Sequence, residues 1–144
     1  MIPILRSILA VVVGLMAGFL IVVVGDMMSS LFVTGAFAGD ESKDAAAMRA
    51  YVESLPFAAF IVMLIGHTVG ALVAGLLAAW IAGRARFMHS GLVGILFLVA
   101  GALNLWLIPF HPLWFVVADV IVYVPAALIG AWWAPARPRQ LPTS

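Results

Sequence analysis

Three ionisable side chains, Asp26, His67 and Asp119, sit in stretches that otherwise hold almost nothing but apolar residues. A charge within a lipid-spanning helix costs about 2.5 to 3.5 kcal/mol on insertion scales, so each of the three needs a partner, water or an altered protonation equilibrium. An imidazole beside a carboxylate at intermediate depth has the chemistry of a proton relay or of ion-coupled transport, because histidine changes charge near neutral pH. Asn104 and Tyr123 add hydrogen-bonding groups, and the five residues together form the candidate polar, ion or proton site. Asp26, His67 and Asp119 are also the candidate ligands for a divalent metal, offering one nitrogen and two carboxylates without a second histidine nearby. The plainer reading is a structural network, in which Asp and His pair with each other and with Asn or Tyr and so fix which helices meet.

Spacing supports convergence. At 1.5 Å per residue, Asp119 lies about 10 Å in from Pro112, His67 about 15 Å in from Phe57, and Asn104 about 8 Å in from Pro109. Asp26 comes about 30 Å up from Ile4, so all of them belong to one half of the bilayer. His67 shares a face with Gly70, Ala71 and Ala74, and Asn104 follows Gly101 by one turn on the expected packed face of its helix. Asp119 and Tyr123 are four apart and therefore neighbours on one face. Pro125 just beyond them leaves the Ile121 carbonyl without its helical donor, and Ser29 and Ser30 place hydroxyls one turn from Asp26.

The elements that must position these groups follow from composition. The chain has 144 residues, 66% hydrophobic and 9% charged, with a mean hydropathy of +1.23. An ordinary soluble domain is roughly 25% charged, so too few polar side chains are present to cover a core in water, and lipid is the expected solvent. No cysteine is present, which excludes disulfides, thiolate metal sites and thiol nucleophiles. Familiar nucleotide, nucleic-acid and hydrolase signatures are missing: there is no phosphate loop, no Gly-x-Ser-x-Gly elbow and no His-Glu-x-x-His.

Apolar runs predict an all-α, four-helix antiparallel membrane bundle in a single membrane domain: helix 1 over 4–37, helix 2 over 57–82, helix 3 over 88–109 and helix 4 over 113–133. Ala36-Phe37-Ala38 resembles a signal-peptidase site, but the apolar run before it is about twice the usual signal length and is read as helix. Residues 42–55 form a short amphipathic segment on the membrane surface, capped by Ser42 and stopped by Pro56. Pro135, Pro138 and Pro142 exclude helix from the tail, 134–144.

Arg6, Arg84, Arg86, Arg137 and Arg139 fall on one side, against Lys43 and Arg49 beside four acids on the other, which places both termini in the cytoplasm. Trp106, Trp114 and Phe110 mark the outer interface, and Trp80, Trp132 and Trp133 the inner one. Small-residue stripes on helix 1 (Gly14, Ala17, Gly18), helix 2 (Gly70, Ala71, Ala74, Gly75, Ala78) and helix 3 (Gly94, Gly101) mark packed faces, which serve equally for helix pairing or a subunit contact.

His111-Pro112-Leu113-Trp114-Phe115, then Asp119, Tyr123 and Pro125, with Gly66-His67 opening the glycine-rich helix 2, resembles a group of small uncharacterised bacterial four-helix integral membrane proteins with no assigned activity. The resemblance covers most of the chain. It implies a bacterial inner-membrane location and supplies no catalytic residue to carry over. The early glutamate of small multidrug transporters and the polar signature of small fluoride channels are missing.

The expectation is therefore a small, oligomeric transport or channel-like protein with an outward-facing polar site and no cofactor beyond a conceivable divalent metal. Its partners are the lipid bilayer and copies of itself or another membrane subunit. The rival is a non-catalytic protein that binds a partner subunit or lipid through its small-residue faces, and a third reading is a metal-dependent intramembrane enzyme.

Overall fold

The computed structural model describes residues 3–32 and 44–135. They form five helices and no strand: α1 (Pro3–Ser30), α2 (Ala45–Ser54), α3 (Phe57–Ala82), α4 (Arg86–Leu107) and α5 (Leu113–Trp133). Ile4–Ser30, Phe57–Ala82, Arg86–Leu107 and Leu113–Trp133 are long and apolar enough to cross a membrane. At 1.5 Å per residue they measure about 32 to 40 Å, against a hydrocarbon layer of about 30 Å. The chain is an all-α four-helix membrane bundle.

Packing follows the small residues, because helices in lipid gain little from hydrophobic burial and much from close backbone contact. The central helix, α3, touches α1, α4 and α5. Gly14, Gly18 and Gly25 of α1 lie against Ala74, Gly70 and Gly66 of α3, an antiparallel seam. A Cβ added at Gly25 would stand 2.8 Å from the Gly66 Cα, so neither position admits a side chain without the helices parting. The α4–α5 pair is antiparallel as well, with Gly94 against Val124 and Ala127 and Gly101 against the Tyr123 ring. Between α3 and α5, which run parallel, the tightest approaches are Gly75 on the Ala127 backbone and Gly130 on the Leu72 carbonyl. These glycines are occupied by contacts between helices of one chain, so a subunit contact would use other faces.

Arginines close one end of the bundle. Arg6 Nε donates to the Ile81 carbonyl at 2.6 Å, and Arg86 Nη2 to the Ala131 carbonyl at 2.7 Å. The last carbonyls of a helix lack partners within it and carry its partial negative charge, so a guanidinium there satisfies both needs. Gly83, at φ 70°, ends α3 in the left-handed conformation, with its N–H on the Ala79 carbonyl.

At the opposite end α2 lies over the mouths of α3, α4 and α5. Val52 and Leu55 are buried with Ala59, Phe60 and Phe115, and Met48 and Tyr51 pack on the same group. Exposed Arg49 and Glu53 pair at 2.7 Å on its outer side.

Three boundaries correct the expectations. Helix 1 was expected over 4–37 but ends at Ser30, where Leu31 and Phe32 turn with bonds to Met28 and Ser29. The amphipathic segment starts at Ala45 rather than 42, capped by Asp44, whose carboxylate accepts from the Ala46 N–H at 2.9 Å. Helix 3 was expected over 88–109 and runs two residues earlier at each end, because Ala85 accepts the first helical bonds and Ile108 closes the last turn. Residues 33–37, the Ala36-Phe37-Ala38 site, Ser42, Lys43, Arg137, Arg139 and the tail beyond 135 lie outside the described residues.

Candidate functional site

His67 comes from the buried stripe of α3, one residue past the Gly66–Gly25 contact. That contact brings α1 close enough for Asp26 to reach the ring: its Oδ1 lies 3.2 Å from Nε2. On the other side of the ring, Asp119 of α5 brings Oδ1 to 2.5 Å from Nδ1. Three helices therefore meet at one imidazole.

Tyr123, one turn along α5, donates its hydroxyl to both Asp119 oxygens at 3.1 and 3.0 Å and lies 3.0 Å from Nδ1. Its ring stacks on His67 with centroids 5.8 Å apart, and Phe115 flanks the imidazole at 6.3 Å. Asp119 is 1% exposed, whereas the Asp26 side chain is 44% exposed. The cluster thus has a sealed end and an open one.

Proton bookkeeping defines what this row can do. Each ring nitrogen faces a carboxylate oxygen, and each such contact needs a hydrogen between the two atoms. An imidazolium between two carboxylates satisfies both contacts. So does a neutral imidazole with one carboxyl protonated and donating to the bare nitrogen. The two arrangements hold the same number of protons and differ only in where one of them sits. The row Asp26–His67–Asp119 can therefore shift a proton between the ring and either carboxylate, and Asp26 is its exposed end.

These groups lie along a cavity of about 510 Å³ between α1 and α4, floored by α3 and α5. Met16 and Phe19 of α1, Phe97 and Asn104 of α4, and Phe115 of α5 line it with the polar row. No family model, curated protein or solved structure matches the chain.

Of the five candidate residues, Asp26, His67, Asp119 and Tyr123 are brought together. Asn104 is not. It lines the cavity, but its carboxamide has no hydrogen-bond partner among the described residues and it is exposed rather than packed. Gly101 does face α5, against the Tyr123 ring, and the next turn of α4 carries Asn104 round to the cavity wall. Ser29 and Ser30 also depart from expectation. Their hydroxyls return to the Asp26 and Met27 carbonyls at 2.7 Å and leave the Asp26 carboxylate alone.

Among the described residues no group of three His, Asp or Glu side chains is arranged to hold a metal. The physical reason is visible at His67: its two nitrogens point in opposite directions, each toward its own carboxylate, so the three groups do not converge on one point. His111, read as an interfacial turn residue, donates from Nδ1 to the Ile108 carbonyl at 2.8 Å and stacks on Phe115.

Several structural polar groups carry no obvious mark in the sequence. Ser90 is fully buried and donates to the Gly75 carbonyl at 2.6 Å, tying α4 to α3. His89 is buried beside it with Nδ1 on the Ala85 carbonyl. The one signal for Ser90 was its place four residues before Gly94, on the small face of α4.

Proposed function

We propose that this protein moves protons, or an ion coupled to them, through the Asp26–His67–Asp119 row. The observation that carries the reading is the imidazole held between two carboxylates at 2.5 and 3.2 Å, one sealed and one open to a cavity. A purely structural pair needs one carboxylate on the ring; the second, half-exposed one supplies a terminus where protons can enter or leave. The membrane is proposed to be a bacterial inner membrane, with both termini cytoplasmic. That orientation is supported by the gathering of Arg6, Arg84 and Arg86 at one end and the Arg49–Glu53 pair at the other. The cavity reaches through part of the bundle's depth, so a complete path across the bilayer is proposed to involve a second copy of the chain.

Proton or ion flux in proteoliposomes tests the reading. His67→Ala and Asp119→Asn are expected to abolish flux. Unchanged flux with a lowered melting temperature would sink the proposal and leave the row as structural cement between α1, α3 and α5.

A further inference from the structure

The cavity wall beside the polar row holds more than proton movement needs. It opens sideways. Met16 and Phe19, which line it, are 68% and 62% exposed on the lipid-facing side of α1, and Leu96 is exposed on the α4 wall opposite. The end over α3, α4 and α5 is covered by α2 through Val52, Leu55, Phe60 and Phe115. The exposed side wall therefore offers an entry from the bilayer.

The lining divides into two kinds. Aromatic and aliphatic side chains supply most of the wall, with Phe19, Phe97, Phe115 and Tyr123 presenting four π-systems. The polar part holds the Asp26 and Asp119 carboxylates, the His67 and His111 imidazoles, the Tyr123 hydroxyl and the unpaired Asn104 carboxamide, and neither lysine nor arginine. Within the Asp26–His67–Asp119 row, two carboxylates against one imidazolium leave a net negative charge. One Asp26 oxygen takes the His67 contact, and the half-exposed carboxylate has no other hydrogen bond among the described residues. A negative charge at mid-depth facing an apolar, lipid-accessible cleft is complementary to an apolar body carrying one positive charge. Aromatic faces add cation–π attraction, strongest when desolvated, and a volume of about 510 Å³ falls in the range of small-molecule sites, roughly 300 to 1,000 Å³.

We propose that the α1–α4 cleft binds a lipophilic organic cation, a hydrophobic amine or quaternary onium entering from the lipid, with Asp26 as its counter-charge and Asn104 and the aromatic residues holding its body. This identifies the substrate class of the proposed transport site and rests on that reading only for the direction of movement; binding stands by itself.

The test uses the full chain in lipid nanodiscs, with radiolabelled tetraphenylphosphonium as probe and tetraphenylborate, of the same size and opposite charge, as control. The expected result is saturable binding of the cation above that of empty nanodiscs, with no competition by the borate. Asp26→Asn should weaken it by about tenfold or more, the equivalent of one charge-assisted contact. Ala100→Trp, which fills the α4 wall without touching the polar row, should abolish it while the melting temperature holds. Binding no greater than in empty nanodiscs, equal competition by the borate, or affinity indifferent to both substitutions overturns the proposal. Saturable binding without proton flux would refute transport alone, and flux without saturable binding would refute the cation site alone.

Discussion

His67 Nδ1 and Asp119 Oδ1 stand 2.5 Å apart, joining two helices that run parallel and share no hairpin. Such a pair removes two polar groups from lipid at once. Losing one member strands the other: Asp119 is 1% exposed and would be left as a carboxylate without its cation. His67→Ala should therefore lower unfolding stability by about 3 kcal/mol, the usual cost of breaking a buried pair. The double variant His67→Leu with Asp119→Leu should recover much of the loss. Chemical unfolding in detergent micelles reads both, and a double variant less stable than the single one would contradict the pairing.

Tyr123→Phe isolates the hydroxyl. It removes the donor to both Asp119 oxygens while keeping the ring that stacks on His67 and Phe97. A loss of about 1 to 3 kcal/mol is expected from a buried acceptor left short of a donor. Asn104→Leu is the matched contrast. Because its carboxamide bonds to nothing among the described residues, stability should stay within about 0.5 kcal/mol. The same unfolding assay decides between them, and equal losses in both variants would place Asn104 inside the network.

Glycine substitutions should separate by contact. Gly25→Ala puts a Cβ 2.8 Å from the Gly66 backbone, and Gly75→Ala drives one into Ala127. Each should cost about 1 to 3 kcal/mol or more through overpacking against atoms that cannot rotate away. At Gly91 the added Cβ would meet only the Leu128 Cδ2, at 3.8 Å. Gly91→Ala should be neutral or stabilise by up to about 1 kcal/mol, the helix preference for alanine. Thermal melts of the three variants in one detergent give the order, and a stable Gly25→Ala would refute the α1–α3 seam.

The absence of cysteine makes orientation simple to read. Ala50→Cys on exposed α2 should react with a membrane-impermeant maleimide in intact spheroplasts, and Gln140→Cys only after lysis. The reverse pattern would invert the proposed topology.

What the sequence made legible was what depth and helical period alone determine. His67 and Asp119 have similar depth on the small-residue faces of their helices, and Asp119 and Tyr123 are one turn apart, so their meeting could be anticipated without coordinates. Where α1 stops could not. Its apolar run continues past Ser30, and the signal that ends it is local: two serine hydroxyls take the Asp26 and Met27 carbonyls while the backbone tightens into a turn. The Arg6 and Arg86 caps were hidden for a different reason, because which carbonyl a long side chain reaches depends on helix ends meeting in space. Asn104 misled because one turn from a packed glycine still leaves enough rotation to carry a side chain from the seam to the cavity wall.

A proton path through this row needs an accessible end, and Asp26 is the residue through which to test it, since its exposure lets it change without unpacking the bundle. Proteoliposomes holding wild type or Asp26→Asn, with a pH-sensitive dye inside and an imposed inside-negative potential, read the flux directly. The expected result is acidification in wild type and none above protein-free liposomes in Asp26→Asn, with both proteins melting alike. Equal acidification in the two would contradict the claim.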